Sequence, residues 1–177
     1  MSISLAVKVT KPILISRLLT NTGEVLAEIL GLSFTPSLEA NEYVNQEWVT
    51  ATSEDLTADS NFIGIKIAGE PETAPMFVSN HDWTHAGEVG RGEFAIVDVG
   101  GGRTPLDFAI AAAVAAAIGR AHRSEIEDYL PYFTPLLEQS ADDFVAAIKV
   151  RDKFDDYRQA ASVFHKSNYA ERVSNTG

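Results

Sequence analysis

Ala95-Ile96-Val97-Asp98-Val99 runs into Gly100-Gly101-Gly102-Arg103, and Thr104-Pro105-Leu106-Asp107 then opens an apolar run that reaches Ile118. The stretch reads as strand, tight turn and buried helix, and the rest of the chain is arranged around it. The branched side chains of Ile96, Val97 and Val99 pack well on a pleated surface. Successive glycines let the chain turn sharply, because a positive φ carries no Cβ penalty there. Thr104 is a good N-cap: its hydroxyl can accept from the Asp107 amide while the Asp107 carboxylate reaches back to the cap. Pro105 suits the first helical position, where no amide donor is required.

From Leu106 to Ile118 the helix is apolar on every face beyond its first turn, with alanines at 109, 111–113 and 115–117. A helix of that kind is buried on most sides, and its small side chains let neighbours approach closely. A membrane span needs about 20 apolar residues, more than this run supplies. Gly119 is the expected C-terminal stop, and Arg120, His122 and Arg123 suit the negative end of the helix dipole.

Outward from this centre, Ile3, Leu5, Val7 and Val9 alternate with Ser4, Ala6 and Lys8, as a strand with one apolar face does. Ile13 to Leu30 is helical in pattern and ends at Gly31. Asn21 with Glu24 makes a second capping signal inside it, so either one kinked helix or two short ones are expected. Phe62 to Ile67 reads as a strand. Met76-Phe77-Val78 starts another, with Glu93 to Val99 as its antiparallel neighbour across a long loop. Tyr43, Trp48 and Val49 sit in a polar stretch that fits neither pattern. Ser124 to Leu130 is expected as a short edge strand whose charges discourage edge pairing. Ser140 with Asp143 caps a helix carrying Phe144, Val145 and Ile148. Phe154, Tyr157, Ala161 and Phe164 or Val163 recur at helical spacing.

This order predicts one α+β domain over residues 1–170: a mostly antiparallel sheet, helices packed on one face and the Ala-rich helix buried at the centre. A ferredoxin-like variant is one connection that satisfies it. Residues 171–177 are expected to fray.

The chain has 177 residues, 25 acidic and 14 basic, for a formal charge of −11. An acidic surface repels nucleic acid and anionic membranes and favours a basic partner. With no cysteine, disulfides, thiolate catalysis and Cys-based zinc sites are excluded. The first residues lack the basic segment and long apolar core of a signal peptide, so a cytoplasmic protein is expected.

Two stretches are candidates for function. In the first, Asn80 to Glu88, a short helix capped by Ser79 or Asn80 would bring His81, His85 and Glu88 to one face, with Asp82 and Trp83 beside them. Imidazole and carboxylate at that spacing can bind a divalent metal, but H-E-x-x-H is not present. The plainer reading is a polar hairpin loop, and no metal or cofactor is assigned. The second is Gly100, Gly101, Gly102 and Thr104 beside Arg103, where glycine amides and a helix N-terminus can meet an anion. Its plainer reading is a connection that needs glycine for its geometry. Neither G-x-G-x-x-G nor a Walker A loop is present.

No nucleophile elbow and no aromatic-plus-basic stripe is found. The function expected is a small acidic, non-enzymatic binding module, of the kind that neutralises a toxin by covering its basic site (an immunity-type inhibitor). The alternative is a small-ligand or metal-binding enzyme using the His81–Glu88 loop. Tyr132, Phe133 and the C-terminal helix are a candidate homodimer face.

Overall fold

The apolar alternation at the start of the chain forms β1 (Ile3–Lys8), which lies in the interior of a sheet of eight strands among the described residues. The computed structural model describes residues 3–51, 54–56, 63–70, 77–82, 93–99, 104–128, 133 and 138–170. After β1 come β2 (Ile13–Leu14), α1 (Ile15–Leu30), β3 (Leu38–Val44), β4 (Glu47–Thr50), β5 (Asp55–Leu56), β6 (Ile63–Ile67), β7 (Phe77–Asp82) and β8 (Glu93–Val99). The second half is α2 (Pro105–His122), β9 (Glu125–Asp128), β10 (Glu138–Ser140), α3 (Ala141–Ile148) and α4 (Tyr157–His165), which runs into a π-helical turn, Lys166–Ala170.

The large sheet has the order β10-β9-β1-β8-β7-β6-β3-β4, and β2 pairs with β5 separately. Every pairing in it is antiparallel. Counting the pairings makes β1 parallel to β3 and β8 parallel to β9. α1 joins the first pair and α2 the second, each pair with other strands between. This is the split β-α-β connection of a ferredoxin-like sheet, widened by β6 and β7 between β8 and β3 and extended by β4 and β10 at the edges. The domain is α+β, as the element order predicts. The expected pairing of β7 with β8 is present, with Phe77 opposite Asp98 and Asp82 opposite Glu93.

Leu5, Val7, Ala95, Val97 and Val99 turn to the helical side and share one core with α1, α2, α3 and α4. Every residue of α2 from Asp107 to Gly119 is buried. Its alanines let α1, α3 and α4 close around it while β1 and β8 form its floor. Phe133, Phe144 and Phe164 fill the core beside it. The Phe133 ring meets Phe144 edge-on at 5.8 Å and lies 6.2 Å from Phe164.

Several local expectations are corrected. α2 runs on past Gly119 and ends at Arg123, which takes the left-handed conformation (φ 53°) and donates its amide to the Gly119 carbonyl. Gly119 is there for room: a Cβ would lie 3.0 Å from the Ala141 Cβ and 3.2 Å from the Ser124 carbonyl oxygen. α1 is one helix through Thr20 to Gly23, and no side chain caps it at Leu14. Leu18, Val25, Leu26 and Ile29 keep one buried stripe across that region, and its packing outweighs the roughly 1 kcal/mol that Gly23 costs. β9 is covered by β10 and is not an edge. The ambiguous Tyr43–Val49 stretch is a hairpin: Asn45 (φ 51°) and Gln46 (φ 68°) supply the two positive φ angles of a type I′ turn.

Residues 171–177, Tyr132 and the turn from Gly100 to Arg103 lie outside the described residues. Among the described residues, no helix is long and apolar enough to cross a membrane.

Candidate functional site

The two candidate stretches diverge at β8. His81 and Asp82 close β7, opposite Phe94 and Glu93 at the start of β8. Thr104 lies beyond the other end of β8, and about 17 Å of strand separates Phe94 from Val99. Ser79 to Asp82 is extended, because this segment completes a ladder with β8. The helical face expected to begin at His81 is therefore corrected. Trp83, His85, Glu88, Gly100, Gly101, Gly102 and Arg103 lie outside the described residues. Among the described residues, no group of three or more His, Asp or Glu is placed to hold a metal ion.

Thr104 borders a cleft of about 430 Å³ between the start of α2 and the flank of α4. Its apolar lining is Ile67, Leu106, Ile110 and Ala161, and its polar groups include Glu70, Asp107 and Arg158. The predicted capping box is present. The Asp107 amide donates to Thr104 Oγ1 at 3.4 Å, and the Thr104 amide and hydroxyl donate to Asp107 Oδ2 at 2.8 and 2.9 Å. The positive end of α2 is thus met by the chain's own carboxylate, which is only 7% exposed.

Across the cleft, the Tyr157 hydroxyl donates to one oxygen of Glu70 and the Arg158 guanidinium to the other. Lys66 Nζ donates to the Glu70 carbonyl at 3.0 Å and pairs with Glu39 at 2.7 Å. The Glu70 hydrogen bond, and then burial, raise the Tyr157 hydroxyl above its usual pKa. Tyr157 is therefore held as a donor and is no base at neutral pH. Arg158 is also raised, first by its bond to Tyr157 and then by the Glu70 charge. Its guanidinium carbon sits 5.9 Å from the Tyr157 ring centroid. Two carboxylates above an apolar floor, one already holding a guanidinium, suit a cation on an aliphatic stem. Glu70 and Arg158 are 88 positions apart in the chain, and no local pattern joins them.

At the opposite end of α2, Arg120 ties three elements together. Its guanidinium donates to Glu28 of α1 at 2.8 and 3.4 Å and to Asp142 of α3 at 2.8 Å. The Glu28 hydrogen bond is the main cause that raises its pKa. Glu24 lines the groove on one side, and Glu125 with Arg123 lines the groove on the other.

No protein-family model matches the chain, and no curated protein or solved structure is significantly similar to it.

Proposed function

We propose that this protein is a non-enzymatic binding module that neutralises a basic partner protein, an immunity-type inhibitor. The cleft between α2 and α4 is its receptor for a lysine or arginine side chain of that partner. The observation that carries the reading is the pairing of Glu70 with Arg158 above an apolar floor shared with Asp107. A partner's guanidinium can replace Arg158 there, with its methylene stem against Ile67 and Ile110. The formal charge of −11 supports it, because a surplus of carboxylates steers a cationic partner into encounter and repels nucleic acid and anionic lipid. In this reading the protein acts in the cytoplasm.

The test is affinity capture at about 0.05 M and about 0.5 M salt, a range over which surface charge is progressively screened. A captured protein is then purified and titrated with the wild-type chain and with Glu70→Gln. The expected result is a basic partner that is lost at high salt and binds Glu70→Gln at least about tenfold more weakly, as loss of a charge-assisted hydrogen bond implies. Capture that ignores salt, or a partner indifferent to Glu70→Gln, overturns the reading. A thermal-shift screen with divalent metals, nucleotides and phosphates covers the enzyme alternative, since binding to the folded state raises the melting temperature.

A further inference from the structure

A second cleft, of about 210 Å³, opens where the start of α1 meets the end of α2. Lys11, Arg17 and Asn21 line it, with Leu18 and Ile118 among its apolar walls and His122 at its side. Lys11 and Arg17 make no ion pair and no side-chain hydrogen bond among the described residues. Two cations without a carboxylate partner therefore stand together at one concave site.

His122 adds a fixed donor. Its side chain is buried, at 8% exposure. The Thr10 amide donates to Nδ1 at 3.0 Å, and the Thr10 hydroxyl lies 3.3 Å from the same nitrogen. A nitrogen that accepts from an amide carries no proton, so the neutral ring holds its proton on Nε2. Nε2 has no hydrogen-bond partner among the described residues. Burial, followed by the nearby Lys11 charge, lowers the pKa of the ring, which keeps this tautomer in place at neutral pH.

The helix ends contribute with opposite signs. The start of α1 has no side-chain cap of its own, but Glu54 meets it: its carbonyl accepts from the Ile15 amide at 2.8 Å and its carboxylate from the Ser16 hydroxyl at 2.5 Å. The negative end of α2 faces the same region. The two helix ends are each worth about half a charge and offset one another, so the two positive charges of Lys11 and Arg17 stand against the single Glu54 carboxylate at the start of α1. A cleft of about 210 Å³ has room for a short organic acid.

We propose that this cleft binds a small monocarboxylate with a short branched or linear aliphatic tail. Lys11, Arg17 and the Nε2 proton of His122 hold the carboxylate, and the tail packs on Leu18 and Ile118. The proposal is independent of the binding-module reading, which uses the other end of α2.

The test uses the full chain and isovalerate as probe, followed by amide and methyl NMR. The expected result is saturable shifts in the millimolar range, centred on residues 11–21 and 117–122. Isoamyl alcohol, with the same tail and no charge, and inorganic phosphate, with charge and no tail, are each expected to bind at least about tenfold more weakly. Lys11→Gln and Arg17→Gln change exposed side chains, so the fold is retained, and each is expected to weaken isovalerate about tenfold. His122→Asn keeps an acceptor for the Thr10 amide but cannot reach the ligand, and is expected to weaken it as well. The proposal is overturned if isovalerate gives no saturable shift. It is overturned equally if the alcohol or phosphate binds as well, or if the Lys11→Gln, Arg17→Gln double variant binds undiminished.

Discussion

His122 accepts at Nδ1 from the Thr10 amide, so protonating that nitrogen sets two N–H groups against each other. His122 and His165 are both lowered from the ordinary value of 6.5, chiefly by burial. The unfolded chain therefore binds protons at these rings at a pH where the folded chain does not. Stability is full above about pH 6.5 and falls as the pH drops below it, before carboxylates titrate. Urea midpoints between about pH 7.5 and about pH 5 are expected to decline, and His122→Asn is expected to flatten part of that slope. A rise in the midpoint on acidification would contradict it.

Gly31 carries a different constraint. It ends α1 at φ +61°, and a Cβ there would lie 2.2 Å from the Asp152 carbonyl oxygen. Gly31→Ala combines left-handed strain with overpacking against backbone and is expected to cost about 2–5 kcal/mol by denaturant unfolding. That Gly31 stops a helix is legible from its place after an apolar stripe. That Gly119 does not is invisible locally, because the reason is Ala141, which the fold brings against it.

Among the elements, α2 shows two kinds of dependence. Its start rests on the Thr104 cap, and Thr104→Ala is expected to lose about 1 kcal/mol. Its middle rests on small size: Ala113 is fully buried, and Ala113→Leu is expected to lose about 1–3 kcal/mol by overpacking. Equilibrium unfolding distinguishes the two, since an exposed cap does not strain the core. Both dependences can be read from sequence, as can Ser140 capping α3 through the Asp143 amide at 3.2 Å. Caps and apolar runs are local, so a few residues determine them. β7 shows the limit. Asn80-His81-Asp82 is polar enough to pass for a capped helix start, and it is a strand because six residue pairs join it to β8.

For the molecule as a whole, charge is the dominant property. At low ionic strength the surplus carboxylates repel one another across the surface. Raising sodium chloride from about 0.01 M to about 0.1 M shortens the screening length from about 30 Å to about 10 Å. The melting temperature is expected to rise over that range; a fall would mean that pairs such as Arg120 with Glu28 outweigh the general repulsion.

Sequence by itself determined the buried alanine helix, its cap, the antiparallel partner of β8 and the sign of the surface. Each of these follows from composition or from residues within a few positions of one another. Tertiary structure alone decided which side chains share a cleft. Glu70 meets Arg158, and Lys11 stands beside His122, because sheet order and helix packing close long loops of chain. No short-range preference of those residues encodes that meeting.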